Sequence, residues 1–330
     1  MPTPLDAAIQ DQLVERRQRV EAALGSAPAQ PPAALKTLLT EIDQALARLA
    51  DGTFGLCETC HETIEADRLA NDPLVRFCLD HLSASEQRAL ERDLHLAARI
   101  QAGLLPACDV RHGPWRAARH YQPLGPVSGD YCDLVPADDG SVFFLLGDVS
   151  GKGVAASMLM VHLHAMFRTL VSTAMPLALM VERASRLFCE STIAGQYATL
   201  VCVRAVPDGH VEIANAGHPP VLLFDRRGGL RRLDATGLPL GMFCSEEFTV
   251  HEACLEPGDA LLLYTDGFTE ARNRSGEELG IDRLTAQAPA WAGSPADGLI
   301  RLCLETLQGF TSGVPLEDDL TLMAIGRESG

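Results

Sequence analysis

Four acidic clusters stand out in this chain, three of them at strand ends beside long hydrophobic runs. "VSGDYCD" places Asp130 at the start of one run, and "SVFFLLGD" ends a second on Asp148. "LLLYTDGFTEA" places Asp266 just after a third, and "EDDLTLMAIG" sets Asp318 and Asp319 just before a fourth. A rigid strand end can hold a carboxylate in fixed geometry, and carboxylates gathered at one sheet edge repel strongly in a low dielectric. A fold that collects them therefore needs cations. Oxygen-only ligands point to magnesium or manganese rather than zinc.

The turn after Asp148, "LLGDVSGKGVAASM", invites a nucleotide-phosphate reading that its spacing rejects. A Walker A loop requires G-x-x-x-x-G-K-[ST], but Gly147 to Gly151 is one residue short and Gly153 follows Lys152. Glycines here let the backbone approach a ligand closely. Two divalent ions sharing one carboxylate would clamp a phosphoryl group and activate a water for in-line attack, with no covalent intermediate. In keeping with that, the chain has no H-C-x-x-x-x-x-R loop, no G-x-S-x-G elbow and no protein-kinase motif set.

Charge and hydropathy narrow the partners. The 330 residues are 47% hydrophobic, enough for a large core and about two domains. Lys and Arg number 27 against 44 Asp and Glu, a net charge of −17, which argues against a nucleic-acid ligand. No apolar run approaches the length of a spanning helix, and "MPTPLDAAIQDQLVERRQRV" carries acids and arginines where a signal peptide needs its hydrophobic segment. A cytoplasmic protein without membrane contact is expected.

The chain divides at composition shifts into residues 1–82, 83–105 and 106–330. Apolar residues at helical spacing over 5–24 and 33–50, separated by "GSAPAQPP", predict a helical hairpin. A compact cysteine-bearing segment follows. A charged helix, "SASEQRALERDLHLAARIQAGLLP", then leads to a region of alternating strand-like and helical runs.

Three of the ten cysteines lie close together and seven are scattered, a pattern of one metal cluster in a reduced chain rather than a disulfide framework. "CETC" supplies Cys57 and Cys60, and "CLDH" supplies Cys78 and His81. Four such ligands close a tetrahedron around zinc and leave no open position, so the site is structural and its metal contributes to folding. His61 competes with His81 as the fourth ligand. From Leu39 to His81, "EIDQALARLADGTFGLCETC", "ADRLANDP" and "CLDH" resemble the DksA/TraR zinc-finger family. His81 stands where most members have cysteine. The hairpin is shorter than in the family's RNA polymerase regulators and its tip lacks their acidic residues.

From about Leu96 to Ile325 the chain resembles the SpoIIE/RsbU branch of the metal-dependent PPM protein serine/threonine phosphatases. The matching runs are "AARIQAGLLP", "SGDYCDL", "GDVSGKGVAASM", "YATLV", "NAGHPP", "GLPLGM", "LEPGDALLLYTDGFTEARN" and "DDLTLM". The resemblance implies an α+β fold, an α-β-β-α sandwich of two antiparallel sheets flanked by helices, here preceded by the short hairpin and small zinc finger. It also implies two Mn2+ or Mg2+ ions, with Asp148 bridging both, the Val149 carbonyl and Asp130 on one, and Asp266 and Asp318 on the other. Asp319 is the alternative to Asp318, since adjacent strand residues face opposite ways. Ser128 replaces the branch's usual glycine before "GD", a change that could stiffen the loop without removing a ligand.

Other residues read as structural. His162 and His164 lie on different helix faces. His218 shapes a turn with Asn215. Cys132 and the later cysteines are small apolar residues. Arg119 and Lys152 are the candidates for gripping substrate phosphate, and Glu270 is either exposed or an orienter of water. Leu90, Leu94, Ala97 and Leu104 form a stripe on the connecting helix that Gln101 interrupts. By resemblance, this helix carries a signal from the zinc module and lies at a homodimer interface.

Two functions of different class follow. One is a phosphatase for phosphoserine or phosphothreonine, its substrate by resemblance a phosphorylated anti-sigma factor antagonist with a STAS fold. The other is an RNA polymerase-binding regulator that docks through its zinc module and uses the sandwich as a scaffold.

Overall fold

The computed structural model describes residues 4–25, 33–82, 84–193, 195–245 and 247–328. It forms two compact units, Met1–Asp93 and Leu94–Gly330, so the division falls inside the connecting helix rather than at either end of it. Residues 26–32, most of the expected hairpin tip, lie outside the described residues.

In the first unit, α1 (Pro4–Gly25) and α2 (Ala33–Asp51) pack through Ile9, Leu13 and Val20 against Ile42 and Ala45. The exposed Arg17–Asp43 pair, 2.7 Å apart, adds little to that apolar seam. The finger contains one short helix, α3 (Ala66–Asn71), and a small core of Cys57, Ile64, Leu69 and Cys78, against which Phe54, Val75 and Phe77 pack partly buried. Helix α4 (Ala84–Leu104) follows.

The second unit is built on two antiparallel sheets. One comprises β1 (Asp109–His112), β2 (Trp115–Gln122), β7 (Val221–Phe224), β8 (Leu230–Leu233), β10 (Ala260–Tyr264) and β11 (Leu320–Arg327), in the order β1-β2-β11-β10-β7-β8. The other comprises β3 (Asp130–Pro136), β4 (Val142–Val149), β5 (Ala198–Ala205), β6 (His210–Ala216) and β9 (His251–Cys254), in the order β3-β4-β5-β6-β9. Strands such as "VFFLLGD" lack polar alternation because both faces are covered. One face, with Phe144 and Leu146, meets Leu261, Leu263 and Ile325 of the facing sheet. The other, with Phe143 and Leu145, packs on α5 (Gly153–Val171) and α6 (Leu177–Ser191). Helices α7 (Asp266–Thr269), α8 (Gly280–Ala286), α9 (Ala288–Trp291) and α10 (Ala296–Thr311) accompany the first sheet, with Trp291, Leu299 and Cys303 packed against Leu262 and Ala324. The α-β-β-α order is thus observed, with three apolar layers. Helix α5 is long and apolar enough to cross a membrane, yet it serves here as a core helix with Met160, Leu163 and Phe167 buried.

Two features depart from expectation. Cys189 of α6 and Cys244 are joined in a disulfide, their Cα atoms 5.5 Å apart. The turn at Gly241 explains the meeting: its N–H donates to Ser185 Oγ at 3.2 Å, and a side chain there would collide with Phe188. Cys254, by contrast with the buried Cys132, Cys202 and Cys303, is exposed. The second feature is Asp133, fully buried on β3, which accepts two 2.9 Å bonds from Arg168 of α5 and lies 3.2 Å from His164 Nδ1. His162 instead stacks near Phe188, confirming that the two histidines face apart.

Removing one partner of a buried ion pair strands the other without compensation. Arg168→Met should therefore lower stability by about 2 kcal/mol, below the full buried-pair value because Arg168 is half exposed and His164 remains. Urea unfolding of the two proteins measures the difference.

Candidate metal centres

The topology brings the separated aspartates to one edge of the sandwich. Asp130 and Asp148 are register partners across β3 and β4, so their side chains share a face. From the facing sheet, Thr265 donates to Asp130 Oδ2 at 3.1 Å, and Thr321 donates to the same oxygen. Thr265 and Thr321 are themselves tied, the Thr265 N–H donating to the Thr321 carbonyl at 3.0 Å. Asp130 therefore reaches from one sheet into the other. Asp266 opens α7 directly behind β10, and Gly267 permits its approach: a Cβ there would lie 2.0 Å from the Asp319 carbonyl.

Their protonation behaviour reports the crowding. Burial, then the neighbouring Asp148, pushes Asp130 well above the usual carboxylate range, against the pull of the two threonine hydroxyls. Burial, followed by Asp266, Asp318 and Asp319, raises Asp148 to about 7. Asp266 is raised by burial and then by Asp318, and Glu270, although exposed, by burial and then by Asp266. The same charges that resist ionisation would welcome hard cations, and an all-oxygen donor set suits magnesium or manganese. The donor set therefore fits such ions.

Asp318 and Asp319 take different tasks. Asp319 Oδ1 accepts from the Leu124 N–H at 2.6 Å, and its Oδ2 accepts from Ser128 Oγ at 2.7 Å and the Gly129 N–H at 3.1 Å. It is a clamp on that loop. Asp318 Oδ2 meets only Lys152 Nζ, 2.9 Å away at the surface, which leaves it the freer ligand of the pair. Arg119 donates to the Pro106 carbonyl at 2.8 Å, so Lys152 is the phosphate-gripping candidate that stands at the carboxylates.

Several participants carried no sequence signal strong enough to assign them. Ser128 is fully buried: its Oγ accepts from the Asp130 N–H at 3.0 Å while donating to Asp319, contacts glycine could not make. Gln101, the apparent interruption in the α4 stripe, is buried and grips Ser128 twice, donating to its carbonyl at 2.7 Å and accepting from its N–H at 3.0 Å. Leu90 of the same stripe is exposed. The buried Tyr121 hydroxyl, near Asp130 and Asp319, has no aligned partner.

Among the described residues, the one group whose ligand atoms all lie within 4.8 Å of one another is Cys57, Cys60, Cys78 and His81. The carboxylates at the sheet edge form no such knot. Cys60 and Cys78 sulfurs are 3.8 Å apart, the edge expected of a tetrahedron with metal–sulfur bonds of about 2.3 Å. His81 Nδ1 lies 3.3 Å from the Cys78 sulfur, whereas the competing His61 points outside the group. Burial raises the Cys57 thiol, but backbone N–H groups of Cys60, Cys78 and Thr59 outweigh it and bring the group to about 6. A thiolate and zinc suit each other there.

Comparison with known proteins agrees with this geometry. Residues 138–328 match the family model "Stage II sporulation protein E (SpoIIE)", and residues 52–80 match "Prokaryotic dksA/traR C4-type zinc finger". The chain is similar to Protein IcfG of Synechocystis sp., 27% identical over 263 residues, which cover 71% of this chain and 41% of that protein. It is also similar to phosphoserine phosphatase RsbU of Bacillus subtilis, 25% identical over 251 residues, covering 73% of this chain and 72% of that one. The chain thus spans less than half of IcfG. Among solved structures, the SiaA-PP2C domain of Pseudomonas aeruginosa shares the fold, with a TM-score of 0.65 at 18% identity over 75% of this chain and 100% of that one.

Two outcomes follow. The Asp148 carboxyl binds its proton more tightly in the native than in the unfolded chain, so between about pH 4 and 7 the native state holds the extra proton. Without added divalent cation, stability should fall as pH rises through about 7, and Asp148→Asn should flatten that slope in urea titrations at about pH 5 and pH 8. Cys78→Ser should lose the bound zinc, read by metal analysis, and melt the finger segment in hydrogen exchange.

Proposed function

The chain belongs to the SpoIIE family, and on that premise we propose that residues 94–330 are a metal-dependent protein serine/threonine phosphatase. The observation that carries the reading is the set of Asp130, Asp148, Asp266 and Asp318 at one sandwich edge, the first three with pKa values raised by burial and by neighbouring carboxylates. These carboxylates, with the Val149 carbonyl, would hold two manganese or magnesium ions. Such ions, when bound, neutralise phosphoryl charge and lower the pKa of water.

The chain's own residues supply the rest. Thr265 and Thr321 orient Asp130, and Gly129 keeps space clear beside Asp148 and the Val149 carbonyl, since a Cβ there would lie 3.0 Å from that carbonyl. Lys152, exposed and anchored only on Asp318 and the Glu317 carbonyl, can turn to a phosphate monoester. The substrate we favour is a phosphorylated STAS-fold anti-sigma factor antagonist, a reading supported by the run of shared motifs from "AARIQAGLLP" to "DDLTLM". The Gln101 grip on Ser128 makes α4 the route by which a regulatory input would reach the Asp130 loop.

The full chain should hydrolyse p-nitrophenyl phosphate and a phosphoserine STAS protein only with added manganese or magnesium. Asp148→Asn and Asp266→Asn should each reduce turnover by at least about 100-fold. A folded, zinc-loaded chain with no such hydrolysis would instead favour polymerase docking, read by co-purification.

A further inference from the structure

His218 is buried at 3% exposure, and its position is over-determined for a turn residue. Its N–H donates to Asn215 Oδ1 at 2.8 Å, which accounts for the turn. Its ring does something else. Nδ1 lies 2.8 Å from Thr199 Oγ1, and Thr199 is the register partner of Asp148 on β5. The Thr199 hydroxyl also lies 3.5 Å from the Asp148 carbonyl oxygen. Cross-strand partners have side chains about 5 Å apart on one face, so Thr199 stands beside the carboxylate expected to serve both ions.

The ring also lies near the backbone of Tyr264 in the facing sheet. Nε2 is buried and has no aligned partner, and the Tyr264 carbonyl lies close enough to favour a proton on the ring. Burial dominates that influence and drives the imidazole down to about 3, so the ring is neutral. A neutral ring with its proton on Nε2 presents Nδ1 as the acceptor for Thr199. Tyr264 ends β10, two residues before Asp266. The ring thus spans the gap between the strand pair carrying Asp148 and the strand end carrying Asp266.

We propose that His218 is a positioning residue that, wedged between Thr199 and the Tyr264 backbone, sets the separation of Asp148 from Asp266 and with it the affinity of the centre for divalent cations. The inference rests on the metal-centre reading above. A group that fixes a metal ligand through one intermediary commonly changes metal affinity by about 10- to 100-fold when removed.

The test is manganese binding by the full chain, read as free Mn2+ in electron paramagnetic resonance, with thermal unfolding as a check on folding. His218→Phe keeps the ring volume and removes both polar contacts, and should weaken binding by about 10- to 100-fold. Thr199→Val should weaken it comparably, and the double variant should lose little more than either single, because both act through one bridge. His218→Asn, whose amide oxygen can accept from Thr199, should recover most of the affinity. Unchanged binding in a folded His218→Phe protein, or losses that simply multiply in the double variant, would overturn the proposal. If His218→Phe does not fold, the near-isosteric Thr199→Val decides alone, and unchanged affinity there overturns it. A wild-type chain that binds no manganese fails the underlying reading instead, and so is distinguishable from failure of the bridge.

Discussion

Mutual repulsion among carboxylates that the strands forbid to separate is the constraint on which the second unit is arranged. Asp130 and Asp148 are register partners, so their spacing follows from the sheet and cannot relax. Asp266 is equally fixed, because Gly267 lies against the Asp319 backbone. What remains adjustable is the set of donors around them. Thr265, Thr321, Ser128, Gln101 and the 124–129 backbone are recruited to that end, and all four of those side chains are buried although polar. Each would be costly to bury elsewhere. Here the alternative is an uncompensated carboxylate, which costs more.

The same constraint explains what could be read from the chain before folding. Long apolar runs broken by aspartate are visible because a strand covered on both faces needs unbroken hydrophobic sequence, and "SVFFLLGD" could hardly be anything else. The aspartates at the strand ends and the cysteine knot were legible for that reason and for their spacing. Their supports were not. A buried hydroxyl has no periodicity, so Thr265 and Thr321 look like ordinary strand residues. Gln101 looks like a flaw in an apolar stripe until Ser128, 27 residues later, is placed opposite it. His218 shows one half of its role, the turn with Asn215, since that contact is local, while the Thr199 contact depends on strand pairing. The Cys189–Cys244 pairing likewise follows from tertiary packing of the Gly241 turn on α6, across 55 residues.

The two candidate metal centres differ in what the metal does for the fold. The finger buries only four apolar residues among those described, two of them ligands, with Phe54, Val75 and Phe77 packed partly buried against them, so its own core offsets little of its chain entropy without zinc. The sandwich has three apolar layers of its own, so a cation bound at the sheet edge would offset only a local electrostatic cost. Donor chemistry keeps the roles apart. Soft thiolates and imidazole draw zinc strongly, while carboxylate and carbonyl oxygens suit the hard ions. A zinc ion shared between the two would settle on the thiolates, leaving the sheet edge to the cation that is abundant and exchangeable. On the proposed reading, one chain would thereby hold a permanent structural metal and an exchangeable pair at the sheet edge.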